Sequence, residues 1–352
     1  MVLGAAAVKT KNIRLTSAVT VLSSDDPVRV YEQFSTVDQL SGGRAEIMAG
    51  RGSFTESFPL FGYDLADYDD LFAEKLELLL RLREGEAVSW PGSKHTPAID
   101  GRGVYPRPHQ DPLPVWIAVG GSPDSVIRAA FLGLPLALAI IGGAPARFAP
   151  LIDLYRRAWV EAGRDPADIR VGINSQGYIA DASRQAADEF FPGWQAVMAQ
   201  IGRERGWGPI TRNQFEAGRT RDGAFLVGTP EEVADKIVYE HGLFGNDRFM
   251  LQLPVGSMPH DRVLHAIELF GTKVAPIVRE KLADDEREPV GARLVVAPGD
   301  LDRALQRFRQ VLEKLGHLVR AFEVMLGREP PAPFVGAHLA VGRGDDAVGG
   351  RA

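Results

Sequence analysis

The 352-residue chain has no cysteine, which excludes disulfides and thiolate chemistry and fits a reducing cytoplasm. It also lacks any apolar run of membrane-spanning length, so a soluble, cytoplasmic protein is expected. The opening MVLGAAAVKTKN has a short apolar part, no basic leader, and runs straight into a strand, so it does not read as a secretory signal. Positive charge is in deficit. Forty Lys and Arg against 46 Asp and Glu leave a net charge of −6, which implies no general affinity for nucleic acid. Seven histidines are present, but none forms a metal-ligand pair. His260 and His265 stand five apart, not the three or four that share a helix face, so no zinc site is expected. A Gly-x-Ser-x-Gly elbow is missing, and no Gly-x-Gly-x-x-Gly follows a strand. Hydrolase and Rossmann dinucleotide readings therefore lack support.

What is present is ordinary globular material, 45% hydrophobic and 24% charged, enough for one large domain or two average ones. Ile13–Gly52 carries the most information. Two apolar strands, Ile13–Val21 and Ala45–Ala49, flank a helix over Pro27–Leu40. Asp26 is placed to cap that helix, Pro27 suits its first turn, and Ser41-Gly42-Gly43 stops it. This is a β-α-β unit, whose default is a parallel sheet. The second strand leads into Gly50-Arg51-Gly52. Arginine at the carboxyl end of a parallel strand is suited to holding a phosphate, and it is equally suited to pairing with a nearby carboxylate.

Further strands are expected at Leu113–Val119, Leu134–Ile141, Ile169–Ile179 and Arg248–Leu253. Helices are expected over Asp67–Leu82, through Leu132, and over Arg147–Gly163, Ser183–Arg203 and His260–Leu282. Thr229, Pro230 and Glu232 form a capping box that opens another. The strand at Leu113 ends in Gly120-Gly121-Ser122-Pro123-Asp124-Ser125 just before a helix. Free N–H groups and the helix dipole favour an anion there, while Ser122 is also a plain N-cap; the two roles are compatible. Glu86–Pro112 and Gly206–Phe225 read as irregular inserts. Residues 284–352 read as an extension, helical over Leu301–Leu326 and disordered from Pro330.

Ala18-Val19-Thr20, Pro27-Val28-Arg29, Asp38 to Arg44 and Gly50 to Gly52, in this order and spacing, resemble the bacterial luciferase-like family of flavin-dependent monooxygenases and oxidoreductases. The resemblance runs from about Leu3 to Leu282. It implies an α/β fold, a TIM-like (β/α)8 barrel over residues 1–283, with its first two strands lying before this chain's start and the barrel N-terminally truncated. It implies FMN as cofactor, with deazaflavin F420 in some members, and oxygenation of a small organic substrate by reduced FMN and O2. A separate flavin reductase and a homodimer are implied as partners. Carried over residue by residue, a non-prolyl cis peptide at Ala18–Val19 lies under the flavin, Arg51 contacts its phosphate, and Gly121, Ser122 and Ser125 complete the cradle. The insert after Glu86 is implied to cover the site. Phe54, Phe58, Phe61, Tyr63, Trp90 and Tyr105 are candidates for an apolar pocket or for packing. One departure stands out: the Glu-His-His of luciferase relatives occurs nowhere in the chain. A non-catalytic flavin-binding subunit is the alternative that this departure raises.

Overall fold

The structure is a computed structural model that describes residues 1–52, 56–206 and 208–285, all within one compact unit. The expected 284–352 extension lies outside the described residues, apart from the end of a helix that runs to Asp285. In chain order the chain builds α1 (Val2–Lys9), β1 (Leu15–Thr16), β2 (Thr20–Val21), α2 (Pro27–Ser41), β3 (Ala45–Gly50), α3 (Ser57–Phe61) and α4 (Tyr68–Leu82). Then follow β4 (Ala87–Trp90), β5 (Ile99–Gly103), β6 (Val115–Val119), α5 (Pro123–Leu132), β7 (Leu136–Ile140), α6 (Ala149–Glu161), β8 (Val171–Ile179), α7 (Ser183–Arg205) and α8 (Arg212–Gly218). The chain continues with β9 (Phe225–Gly228), α9 (Pro230–Phe244), β10 (Arg248–Gln252), α10 (His260–Leu269), a π-helical turn at Phe270–Val274, and α11 (Ala275–Asp285).

One parallel sheet runs β1-β3-β6-β7-β8-β10. β2 extends beside β3, and β9 lies beside the second half of β8. Its central strands read as continuous apolar runs because both faces are covered: β6 and β7 each have four of five residues buried. Inside, Met48, Trp116 and Ala137 form a cluster against which Val19, Ala118 and Met250 pack. Met250 of β10 reaches that cluster although β7 and β8 lie between its strand and β6. The sheet is therefore curled, with helices outside, as in a (β/α) barrel.

Local chemistry sets the helix starts. Asp26, Ser122 and Thr229 each accept from the backbone N–H three residues on, and a proline follows each. Gly42, at φ 66°, ends α2 in a left-handed cap.

Four expectations need correction. The strand expected over Ile13–Val21 is two short pieces, β1 and β2. The insert after Glu86 is not wholly irregular, since β4 and β5 form an antiparallel hairpin with a bulge between Val88 and Trp90. The insert after Gly206 contains α8, opened by its own capping box at Thr211 and Gln214, and leads into β9. The closing helix, expected as one regular helix over His260–Leu282, carries a π-helical turn at Phe270–Val274 and runs on unbroken to Asp285.

Candidate active site at the carboxyl ends of the strands

β2, β3 and β6 are neighbours in one parallel sheet, so their carboxyl ends open on one side. Register pairs Val21 with Gly50, and Ala49 with Ile117. The residues singled out in the sequence come together along these strands. The Ala18–Val19 peptide bond is cis, at the break between β1 and β2. Val19 points into the interior cluster, and its methyls fill the space a Cβ on Gly50 would need, at 2.9 Å. Val21 does the same to Gly52, whose φ of 79° already favours glycine. These two glycines are thus required by neighbouring valines as well as by any ligand.

Arg51, between them, is about one-quarter exposed and ion-paired to Asp69. Its guanidinium lies 5.1 Å from the centre of the Tyr68 ring. Tyr68 in turn donates to the Gly52 carbonyl at 2.6 Å and stacks on Phe58. The start of α4 therefore fixes both the arginine and the loop carrying it. Burial raises the Tyr68 phenol, and Arg51 partly offsets that rise.

At the next strand end, Gly120 and Gly121 face open space; a Cβ at either would meet nothing within 4 Å. Ser122 caps α5, accepting from the Ser125 N–H at 3.4 Å, and Ser125 is buried. A guanidinium at one strand end beside a capped helix N-terminus at the next favours an oxyanion between them.

Sequence reasoning missed the partners. Tyr68 and Asp69 come from the first turn of α4, where nothing local in the sequence marks them as neighbours of Arg51. Arg128, whose guanidinium lies 5.5 Å from the centre of the Phe72 ring, sits three residues after Ser125. Its signal was a charge inside the otherwise apolar run Val126–Leu132. Of the candidate pocket aromatics, Phe58 and Trp90 are buried packing, whereas Phe61 and Tyr105 are exposed. Tyr63 accepts from Lys75 Nζ at 2.9 Å, a buried ammonium that also donates to the Ser23 carbonyl at 2.7 Å. Phe54 lies outside the described residues.

The β4–β5 hairpin is fastened to α4. His95 places Nδ1 3.0 Å from Glu74 and Nε2 3.1 Å from Asp67, and Ser93 donates to Glu74 at 2.6 Å. A cavity of about 410 Å³ beside β9 and α9 is lined by Arg219, Arg221, Lys236 and acidic residues, and by none of the strand-end residues above. Among the described residues, no helix is long and apolar enough to cross a membrane.

A curled parallel sheet clad in helices is the architecture of the (β/α) barrel class. The chain belongs to the luciferase-like monooxygenase family, whose model matches residues 1–247, and with it to the oxidoreductases. It is 26% identical over 286 residues to 4-hydroxyprotoasukamycin monooxygenase of Streptomyces nodosus subsp. asukaensis, covering 77% of this chain and 75% of that one. A monooxygenase from Streptomyces bottropensis superposes with a TM-score of 0.66 at 26% identity, covering 78% of this chain and 81% of the other. Two more distant structures share the fold. The FMN-bound oxygenating constituent of 3,6-diketocamphane monooxygenase from Pseudomonas putida is 18% identical, with TM-score 0.60 over 78% of this chain and 82% of that one. An F420-dependent secondary alcohol dehydrogenase is 19% identical, with TM-score 0.61 over 79% of this chain and 83% of that one.

Proposed function

We propose that the chain is a monooxygenase that binds reduced FMN at the strand-end mouth and oxygenates a small organic substrate with O2, a separate reductase supplying the reduced flavin. The observation that carries this reading is the juxtaposition of Arg51 with the Gly120–Ser125 turn on adjacent parallel strands. The residues fit the group: the two glycines leave open space where a phosphate needs it, and cationic and helix-terminal donors flank that space. Arg51, Gly121, Ser122 and Ser125 would hold the phosphate, and Ala18 and Val19 would support the flavin ring.

When bound, reduced flavin supplies the activation of dioxygen; the protein's part is binding, orientation and exclusion of water. Arg51 and the α5 N-terminus orient the group by its phosphate. Tyr68 holds the loop beside it. Val19, Met48 and Trp116 make the interior beneath the mouth apolar. What further supports FMN is family membership together with the FMN bound by a protein of the same fold.

The test is turnover with FMN kept reduced by a flavin reductase, isotopically labelled dioxygen and a panel of aldehydes and ketones. One labelled oxygen atom in the product is the expected result. Binding of FMN without turnover would make the chain a non-catalytic flavin-binding subunit. Binding of F420 in place of FMN would move it to the deazaflavin branch.

A further inference from the structure

Arg128 and Arg51 reach one stretch of α4 from two different elements. Arg51, after β3, lies over Tyr68; Arg128, on α5, lies over Phe72, one turn further along. Four helical residues span about 6 Å along the axis. Side chains on a helix lean toward its N-terminus, and Ser125 and Ser122 stand three and six positions before Arg128 on or at the start of the same helix.

Two like charges brought this close need a reason. Burial, and then the charge of Arg51, hold Arg128 below the usual arginine range, while Asp69 and Asp124 partly offset that. Asp69 is already taken by Arg51. Nη1 of Arg128 is buried and has no hydrogen-bond partner. A guanidinium donor buried without an acceptor costs free energy that a bound anion would recover. Packing on Phe72 alone would be served by a neutral side chain.

We infer that Arg128 is a second cationic ligand for the cofactor's phosphate, facing Arg51 across the Gly121–Ser125 turn, and that the pair makes the site select phosphorylated flavin over riboflavin. This rests on the FMN reading above. A phosphate dianion supplies enough oxygens for both guanidiniums and the helix N-terminus at once.

The test is fluorescence titration of FMN and of riboflavin with the full chain and with Arg128→Gln and Arg128→Lys. Arg128→Gln is expected to raise the FMN dissociation constant about tenfold or more and leave that of riboflavin unchanged. Arg128→Lys is expected to recover part of the loss, since it keeps the charge without the fork. Unchanged riboflavin binding also shows that the variant is folded. FMN binding equal in wild type and Arg128→Gln overturns this inference and leaves the FMN reading standing. Equal weakening for both flavins overturns it too, in favour of a structural arginine. A wild-type chain that binds neither flavin overturns both.

Discussion

Glu46 on β3 and Arg248 on β10 meet inside the sheet, 2.5 Å apart, although three strands lie between theirs and 202 residues separate them in the chain. Arg248 also lies 4.4 Å from the centre of the Trp116 ring, and Arg14 adds a second contact to Glu46 at 3.1 Å. The Glu46 side chain is only 5% exposed. The pair joins opposite walls of the curled sheet at its amino-terminal end. Glu46→Ala would leave Arg248 without its acceptor. Breaking a buried pair costs several kcal/mol, but Arg248 is about one-quarter exposed, so a loss of about 2 kcal/mol is expected. Urea unfolding measures it. The double variant Glu46→Leu with Arg248→Leu should cost less than the two single changes summed, because each single change strands a charge.

How much of this was legible beforehand depended on range. Leu113–Val119 and Leu134–Ile141 announce buried parallel strands because a strand covered on both faces must be apolar throughout. Asp26, Ser122 and Thr229 announce helix starts because a cap is satisfied within three residues. Arg51 and Ser122 stood out for the same local reason. Ile99–Gly103 did not read as a strand: its sequence, Ile-Asp-Gly-Arg-Gly, is largely exposed, and only pairing with β4 makes it one. Phe225–Gly228 is too short to separate from the capping box that follows. Asp69 and Arg128 lie 18 and 77 positions from Arg51, and the Glu46–Arg248 pair spans 202. No periodicity carries that information; only the curl of the sheet does.

Glu240 on α9 gives a pH signature. It is fully buried, with Ser175 Oγ 3.0 Å away and Lys236 one turn earlier on the helix. Burial raises its carboxyl to about 7 from the usual 4.5, and Ser175 and Lys236 offset this only in part. Folding thus favours the protonated form. The stability from this group is complete below about pH 4.5 and is lost as pH rises through about 7. Unfolding free energy should fall across that window, and Glu240→Gln should flatten the slope. A wild-type slope unchanged in Glu240→Gln would contradict the assignment.

The hairpin latch responds in the opposite sense. Hydrogen bonds from Lys94 and then His95 hold Asp67 below its usual range. Burial opposes the shift at Glu74, but hydrogen bonds from Ser93 and His95 outweigh it. Both groups contribute stability above the ordinary carboxylate range, about pH 4, and lose it as pH falls through their lower folded values. Limited proteolysis between residues 86 and 112 should therefore stay slow at neutral pH and accelerate in acid. His95→Ala should make the segment sensitive at neutral pH as well.

The most direct test of the central claim is titration of FMN fluorescence with the wild-type chain and with Arg51→Ala. Saturable quenching by the wild type, weakened about tenfold or more in Arg51→Ala, is the predicted result. Equal quenching by the two, or none by the wild type, would contradict a phosphate-binding mouth at the ends of β3 and β6.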